Sequence, residues 1–293
     1  MEKKILIIGG TGYIGSALYK YLSTKFEVDT VDLELFGNYI NPQNLISDYS
    51  ELSSNLLNSY THIVLLAAHS SVKMAIQSPR EAFRNNLTSF EELLSKLAPD
   101  TDLIYASSSS VYSGSTDSEA TEDWASYLPT NIYDFTKYAS DCLAHISGKR
   151  HYALRFGTVC GESVNFRSDL MINLMVKTAI EEKVVRIWNG EVYRPILAIQ
   201  DLVLAIEQLI SHSGRPGIYN LASFNATIGE IGQAVANEME VPLLNMGKSP
   251  TYNFRISSEK FVNEFKFRFS STPQLIAQQI RNRWSDLNKG IRE

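Results

Sequence analysis

The chain contains 293 residues, of which 44% are hydrophobic and 20% are charged, and its formal net charge at pH 7 is -5. This composition is typical of a soluble globular protein; the lack of a dense basic run and of any span of about 18 apolar residues argues against nucleic acid or a membrane as partner. Two cysteines, Cys142 and Cys160, are too few for a disulfide framework and match no zinc-binding spacing, so the sequence predicts a cytoplasmic protein without a metal site.

Short apolar segments alternate with amphipathic helical segments through the first half of the chain. The strand-like KILIIGG is followed by the helical SALYKYLSTK and then by the apolar segments EVDTVD, HIVLLAA and DLIYASSS. Another helix is predicted over PREAFRNNLTSFEELLSKLAPD, where apolar residues recur at helical spacing before Pro99, namely Phe83, Leu87, Phe90, Leu94 and Leu97. Apolar strands separated by helices are typical of a parallel sheet covered on both faces.

The regular pattern fades after HYALRFGTV and returns in RPILAIQDLVLAIEQLI and GIYNLAS. We therefore predict an α/β fold, a Rossmann-type doubly wound parallel sheet with a smaller C-terminal substrate lobe. The sheet domain is expected over residues 1–160, with the chain re-entering it at about 194–223. The lobe is expected over 161–193 and 224–293.

The glycine-rich loop between the first strand and the first helix predicts a dinucleotide site. Gly9 permits a tight turn, Gly12 lets a pyrophosphate approach the amides at the positive end of the helix, and Gly15 allows close helix–strand packing. Asp32 ends the second strand, where it is placed to accept hydrogen bonds from the ribose of adenosine. The following LELFGN supplies no cation for a 2′-phosphate, which favours NAD over NADP. Asp48 is either an adenine contact or a cap of its own loop.

A serine cluster and a Tyr-x-x-x-Lys pair follow the fourth strand. Ser107 to Ser110 fall at the C-terminal end of that strand, where open α/β sheets bind ligands. Tyr133 and Lys137 share one face of the next helix, and a neighbouring ammonium lowers the pKa of a tyrosine hydroxyl by about one to three units. Another face of this helix is predicted to carry an apolar stripe, formed by Ile132, Phe135, Ala139, Leu143 and Ile146. The same spacing at Tyr21 and Lys25, far from the C-terminal ends of the strands, is interpreted as a chance match.

These features occur in the order found in a known family. The stretches GGTGYIG, LLAAHSSV, NNLTSF, SSSSVY, YDFTK, LRFGTVCG, RPILAIQD and FRISSEKF run from one end of the chain to the other. Together they resemble the extended short-chain dehydrogenases/reductases, in particular the NAD-dependent nucleotide-sugar epimerases and dehydratases of the UDP-glucose 4-epimerase type. The resemblance implies a nucleotide-sugar substrate and a homodimer that pairs through the helices of Phe83 to Leu97 and Ile132 to Ile146.

The resemblance also implies roles for individual positions. Ser108 is expected to hydrogen-bond the sugar hydroxyl or keto oxygen, Tyr133 to act as general acid/base, and Lys137 to hold the nicotinamide ribose and tune Tyr133. Further cofactor contacts are expected from Tyr13, Ile14, Tyr49, Leu66, Ala67, Ala68 and Asn86. Substrate contacts are expected from Ser109, Ser110, Thr158, Arg167, Arg194 and Arg255. Arg194 and Arg255 match positions that clamp a nucleotide diphosphate with forked donors, and Arg167 is a candidate for a further contact; a surface ion pair is the alternative for each arginine.

Several positions depart from the family pattern. Thr158 replaces a frequent asparagine and Ala198 a frequent histidine, which weakens the carry-over of substrate contacts. Ser109 and Ser110 stand where related 4,6-dehydratases have Asp-Glu, which protonates and eliminates the 6-hydroxyl of the sugar. UDP-glucuronate decarboxylases keep an acidic residue there, and the GDP-fucose synthase type has a cysteine at the position of Ser110. The sequence therefore favours epimerisation.

We expect an NAD-dependent nucleotide-sugar epimerase that acts at C4 through a transient 4-keto-sugar. The main alternative is a nucleotide-sugar 4-dehydrogenase or 4-keto reductase that releases its product after one hydride transfer. The paired arginines disfavour a short-chain reductase of a non-sugar alcohol, and the Ser–Tyr–Lys set disfavours a sensor that only binds dinucleotide. His69 is either a sugar-pocket residue or a packed histidine, and Cys160 is interpreted as a small core residue.

Overall fold

The computed structural model describes residues 3–113, 119–124, 128–212 and 214–287. The predicted domain ends at residues 1 and 293 lie outside this part of the chain. The strands in chain order are β1 (Lys4–Ile8), β2 (Glu27–Val31), β3 (His62–Leu65), β4 (Asp102–Ser108), β5 (Glu119–Ala120), β6 (His151–Phe156), β7 (Thr158–Cys160), β8 (Val185–Ile187), β9 (Tyr193–Ala198), β10 (Gly217–Leu221), β11 (Phe224–Thr227), β12 (Leu243–Asn245) and β13 (Arg255–Ile256).

The α-helices are α1 (Tyr13–Leu22), α2 (Ser54–Leu57), α3 (Val72–Gln77), α4 (Pro79–Phe83), α5 (Ser89–Lys96), α6 (Ile132–Ile146), α7 (Met171–Glu182), α8 (Ile199–Ser211), α9 (Ile228–Met239), α10 (Glu259–Phe265), α11 (Pro273–Asn282) and α12 (Trp284–Leu287). Short 3₁₀ turns cover Tyr49–Glu51 and Ser109–Tyr112, and a π-helical turn covers Arg84–Thr88. Within the described ranges, no helix combines the length and the apolar character that a membrane crossing needs.

The largest sheet has six strands in the order β10-β6-β4-β3-β1-β2. Strand β1 pairs in parallel with β2 on one side and with β3 on the other, and β3 pairs in parallel with β4. The strand order therefore reverses beside β1, which is the switch point where doubly wound sheets bind ligands. Strand β3 is buried along its whole length and β1 along nearly all of it, as expected for strands covered on both faces. The predicted Rossmann-type fold is confirmed.

Two compact units divide the chain. The first comprises Met1–Val111, Ala125–Arg155 and Ser213–Tyr219, and the second comprises Tyr112–Trp124, Phe156–His212 and Asn220–Glu293. The predicted boundaries differ from these units. The last segment of the first unit is Ser213–Tyr219, whereas the sequence predicts that the chain re-enters the sheet domain at about 194–223. Pairing of β9 explains the difference: β9 runs parallel to β7 and antiparallel to β11 in a separate three-stranded sheet.

The second unit has its own apolar core. Buried side chains of α7, α9 and α11 pack with β7, β8 and β9, and the core includes Val176, Ile231, Ile280 and Phe166. Cys160 belongs to this core and is fully buried, and burial raises the pKa of its thiol to about 12. The interpretation of Cys160 as a small core residue is therefore confirmed.

One predicted helix contains a π-helical turn. The segment from Phe83 to Leu97 contains the end of α4, the π-helical turn Arg84–Thr88 and α5. A π turn holds more residues than an α turn and so rotates the side chains that follow it relative to those before it. Phe90 is consequently buried, whereas Phe83 is 41% exposed. The predicted helix is therefore present, with one π-helical turn that hydrophobic spacing does not report.

A buried ion pair fixes α6 against the large sheet. The Asp141 carboxylate of α6 accepts a hydrogen bond from Arg155 Nε of β6 at 2.9 Å, and the two side chains are only 2% and 4% exposed. The same carboxylate accepts hydrogen bonds from the Tyr105 hydroxyl at 3.0 Å and the Ser107 hydroxyl at 3.1 Å, both on β4. These bonds replace water around the buried charge, so the loss of either charged partner leaves the other uncompensated.

We expect Asp141→Ala to lower the free energy of unfolding by about 3 to 5 kcal/mol, because Arg155 then stays buried without its counter-charge. The matched control is Asp169→Ala, which removes an ion pair with Arg167 in which the aspartate is 58% exposed. The free energy of unfolding of that control should fall by no more than about 1 kcal/mol. Urea denaturation followed by circular dichroism measures both values, and equal losses in the two variants would contradict the importance of burial.

Candidate active site

The loop between β1 and α1 forms a backbone cradle at the edge of the sheet. Gly9 has φ of +88°, and a Cβ at this position would lie 2.6 Å from the nitrogen of Ala67. A Cβ at Gly15 would lie 2.0 Å from the carbonyl oxygen of Gly9. Both positions therefore require glycine, the first for the turn and the second for the close packing of α1. Gly12 is the N-cap of α1 and brings no side chain to cap the first amides, which suits a bound phosphate.

A cavity opens beside this cradle, within the first unit. Most of the predicted cofactor residues line it, namely Gly9, Gly12, Tyr13, Asp32, Asp48, Tyr49, Leu66, Ala67 and Ala68. Sequence reasoning missed further lining residues, among them Thr11, Leu33, Leu35 and Phe36, although the apolar residues directly after Asp32 were a usable signal. Ile14 is half-buried on α1 and is not among the lining residues of this cavity.

The Asp32 carboxylate is held in place by two backbone amides. Its oxygens accept hydrogen bonds from the Thr11 amide at 3.1 Å and the Glu34 amide at 2.9 Å. A fixed carboxylate at this edge of the cavity suits ribose hydroxyls and repels a 2′-phosphate, so these residues fit NAD. Asp48 caps the 3₁₀ turn through Ser50, whose amide donates at 2.9 Å, and also lines the cavity. Both readings of Asp48 therefore have a structural basis.

A smaller cavity shares Tyr49, Ala67 and Ala68 with the first and reaches Asn86 and Lys137. The side chain of Asn86, in the π-helical turn, joins three segments of the first unit. It accepts from the His69 amide at 2.8 Å, donates to the His69 carbonyl at 3.2 Å and donates to the Thr136 hydroxyl at 3.2 Å. Burial lowers the pKa of the His69 imidazole, and its ring lies 3.3 Å from the Asn85 side chain, which fits a packed histidine.

Tyr133 and Lys137 lie together near the start of α6. The Lys137 ammonium is 5.9 Å from the ring centroid of Tyr133 and donates to the carbonyl of Ala106 at 2.7 Å. Lys137 is buried, and this burial lowers the pKa of its amine to about 8, although the Asp141 charge opposes the shift. At neutral pH the amine therefore remains mostly charged.

The chance pair, Tyr21 and Lys25, makes a closer contact than the predicted catalytic pair. The Lys25 ammonium donates to the Tyr21 hydroxyl at 2.7 Å, and Lys25 is exposed beyond the end of α1. Neither residue lines the two cavities described above. Lys137, by contrast, lines the smaller cavity, so the two lysines differ in their location in the fold.

The serines after β4 are connected to the first turn of α6. The Ser108 and Ser110 hydroxyl oxygens lie 2.8 Å apart, the Ser110 amide donates to Ser108 Oγ at 3.2 Å, and the Ser110 hydroxyl donates to the Asp134 carboxylate. Asn131 donates to Asp134 at 2.6 Å and accepts from the Asp134 amide at 3.0 Å, as an N-cap. Ser109 is 3% exposed and is the least accessible of the three serines. Sequence reasoning missed Asp134, although the Asn-x-x-Asp spacing before a helix indicated a cap.

The predicted substrate arginines have different surroundings in the second unit. Arg194, on β9, donates to the Thr251 hydroxyl and lies 5.8 Å from the ring centroid of Tyr252. Arg255, on β13, lies 4.8 Å from the ring centroid of Tyr193.

Arg167 instead forms a bidentate ion pair with Asp169, with distances of 3.0 and 2.6 Å, which is the alternative considered for this residue. Thr158 begins β7 and is half-buried.

A doubly wound sheet with a glycine cradle and a Ser–Tyr–Lys set defines a dinucleotide-dependent enzyme of the extended short-chain dehydrogenase/reductase type. Residues 5–222 match the model of the NAD dependent epimerase/dehydratase family. The chain belongs to this family, and NAD is its cofactor.

Two kinds of relative are informative. UDP-glucuronate 4-epimerase 6 of Arabidopsis thaliana is 34% identical over 68% of this chain, and the match spans 49% of that longer protein. The structure of TunA, an NAD dependent NDP-hexosamine 5,6-dehydratase involved in tunicamycin biosynthesis, has a TM-score of 0.85 at 19% identity and covers 98% of this chain and 100% of its own. UDP-glucuronic acid 4-epimerase from Bacillus cereus, in complex with UDP-glucuronic acid and NAD, has a TM-score of 0.81 at 20% identity, with 98% and 99% covered. At these identities the two structures show the shared fold.

We expect the stability contribution of Lys137 to depend on pH. Burial lowers the pKa of its amine from 10.5 to about 8, so between these pH values the unfolded chain binds more protons than the folded protein. The free energy of unfolding of the wild type, relative to Lys137→Met, should therefore rise by about 2 kcal/mol between pH 7 and pH 9.5. Urea denaturation at both pH values measures this difference, with Lys25→Met as the control for loss of a surface lysine. A difference between wild type and Lys137→Met that does not change with pH would contradict the shifted pKa.

Proposed function

We propose that this protein is a nucleotide-sugar epimerase that inverts C4 of a UDP-sugar. The observation that carries the proposal is the arrangement of Tyr133 and Lys137 at the start of α6, with Lys137 lining the cavity that adjoins the cofactor cavity. Ser108 ends β4 in the same unit. The Arabidopsis relative is named a UDP-glucuronate 4-epimerase, so UDP-glucuronate is the first substrate to test.

The Tyr133 phenolate takes the proton from the C4 hydroxyl of the sugar, and the same group returns it after inversion. The Lys137 ammonium lowers the pKa of the Tyr133 hydroxyl, and Ser108 hydrogen-bonds the sugar oxygen. When bound in the cavity lined by Gly9, Gly12 and Asp32, NAD would supply the acceptor for the C4 hydride and return that hydride to the opposite face of the keto-sugar. Serines at positions 109 and 110, in place of an acidic pair, support epimerisation without loss of water.

Arg194 and Arg255 bind the nucleotide diphosphate, which holds the substrate while the sugar turns. For Arg194, support comes from its position: it is half-buried, and this burial lowers the pKa of the guanidinium. A bound diphosphate would compensate that charge. Arg167 is already paired with Asp169, which favours a structural role for this arginine.

We also infer a homodimer that pairs through α4, α5 and α6. Two residues of the predicted apolar stripe of α6 are exposed, Phe135 to 40% and Ile146 to 77%, whereas Leu143 packs against the core of the first unit. Phe135 stacks on the exposed ring of Phe83 at 6.3 Å. The buried face of α6 is instead mostly polar, with Asp134, Thr136, Lys137, Ser140 and Asp141. An exposed apolar face beside a polar buried one is typical of a protein–protein interface. The cytoplasmic location remains a prediction.

Tyr133→Phe should lower the rate of C4 epimerisation by about a thousandfold or more, because phenylalanine can neither accept nor return the proton. Binding of NAD, measured by isothermal titration calorimetry, should change by less than about threefold, since the change removes one oxygen. Tyr21→Phe is the matched control and should retain wild-type turnover. Products are separated by ion-pair chromatography after incubation with UDP-glucuronate and a panel of UDP-, GDP-, dTDP- and CDP-hexoses. Near-normal turnover in Tyr133→Phe would contradict the assignment of the acid/base.

Phe135→Glu should convert the dimer to a monomer, because a carboxylate replaces an aromatic ring at the centre of the proposed interface. Size-exclusion chromatography with light scattering gives the mass of the wild type and the variant at the same concentration. Leu244→Glu, at an apolar side chain of the second unit that is 46% exposed, is the control and should keep the wild-type mass. A wild type with the mass of one chain would contradict the homodimer.

A further inference from the structure

A chain of hydrogen bonds links the Ser108 hydroxyl to a buried carboxylate that the proposed reaction does not use. Ser108 Oγ lies 2.8 Å from Ser110 Oγ, and the Ser110 hydroxyl donates to the Asp134 carboxylate. Asp134 is 1% exposed and directly follows Tyr133 in the first turn of α6. Its second oxygen accepts from the Asn131 side chain at 2.6 Å. The carboxylate is therefore held by protein donors at the point where the serines and the catalytic helix meet.

The donor and acceptor in each of these hydrogen bonds follow from the groups that take part. Both oxygens of the Asp134 carboxyl group accept hydrogen bonds, one from the Ser110 hydroxyl and one from the Asn131 side-chain amide. A serine hydroxyl can donate only one hydrogen bond. Because the Ser110 hydroxyl donates to Asp134, Ser108 is the donor in the hydrogen bond between the two serines. The Ser110 amide donates back to Ser108 Oγ at 3.2 Å. Two contacts from one residue thus fix both the position and the rotation of the Ser108 hydroxyl.

We propose that Ser110 and Asp134 are positioning residues: they fix the Ser108 oxygen and give its hydroxyl a neutral acceptor until the sugar oxygen becomes the stronger one. This inference rests on the proposed function, in which Ser108 touches the sugar oxygen. In the resting protein the Ser110 oxygen accepts a hydrogen bond from the Ser108 hydroxyl. When hydride adds to the keto carbon, negative charge grows on the sugar oxygen, which becomes the stronger acceptor, and the Ser108 proton turns toward it. Ser108 therefore gives its hydrogen bond mainly to the transition state, and no covalent bond of the protein changes.

Capping of α6 does not account for this arrangement. The Asn131 side chain already accepts from the Asp134 amide at 3.0 Å, which is the N-cap bond of the helix. The bond from Ser110 comes from a different segment, the turn Ser109–Tyr112 after β4. The Asp134 carboxylate is thus directed to the residue that orients Ser108.

The test is a double-mutant cycle on C4 epimerisation by the full chain with NAD. Ser110→Ala should lower kcat by about tenfold, with KM and the Kd for NAD changed by less than about twofold. Ser110→Thr keeps the hydroxyl and should restore at least about half of the wild-type kcat. In the Ser108→Ala background, assayed at high enzyme concentration over long incubations, Ser110→Ala should cause no further loss, because its effect passes through Ser108. Ser147→Ala, at the other end of α6, is the control for removal of a helix-end hydroxyl.

Wild-type kcat in Ser110→Ala, or an equal loss in both backgrounds, would overturn the inference while the proposed function stands. A wild type that epimerises none of the nucleotide sugars would overturn both. Thermal melting shows whether each variant folds. If Ser110→Ala does not fold, Asp134→Asn takes its place, since an uncharged amide is a weaker acceptor for Ser110. Asp134→Asn should also lower kcat by about tenfold, and it should cause no further loss in the Ser108→Ala background. Wild-type turnover in Asp134→Asn would overturn the inference.

Discussion

The placement of α6 against the ends of β4 and β6 is the constraint on which the site in the first unit depends. One carboxylate, that of Asp141, accepts hydrogen bonds from β4 and from Arg155 on β6 in a region closed to water. The helix that carries Tyr133 and Lys137 is thereby fixed beside the strand that ends in Ser108. Because most of this buried face is polar, Phe135 and Ile146 of α6 remain exposed, so the same constraint also accounts for an exposed apolar surface.

Burial then determines the electrostatics of the site. Burial of Lys137 lowers the pKa of its amine to about 8, and the nearby Asp141 charge opposes this shift, so the ammonium form persists at neutral pH. A desolvated cation beside a tyrosine acts more strongly on the phenolate than the same charge would in water. The glycine cradle and Asp32 complete the first unit with backbone amides and a fixed carboxylate, which are the groups that a dinucleotide requires.

The sequence was most informative where the chemistry is local. The glycine loop, Asp32 and the Tyr-x-x-x-Lys helix are contiguous motifs, and the structure gives each the predicted element. Long-range pairing was less accessible: β9 joins β7 and β11, and nothing in RPILAIQD distinguishes that sheet from the larger one. The π-helical turn that buries Asn86 leaves no trace in hydrophobic spacing. Asp134 was missed because its partner, Ser110, lies 24 residues earlier, a contact that only the fold creates.

The central claim is that hydride leaves C4 of a nucleotide sugar and returns to the same carbon within one site. The most direct measurement is incubation of the wild type and NAD with UDP-glucuronate deuterated at C4, followed by mass spectrometry of the separated products. The account predicts the C4 epimer at unchanged mass, with the deuterium retained and no net NADH. An epimer that has lost its deuterium to solvent, or a product lighter by the deuteride and one proton with matching reduced cofactor, would contradict it.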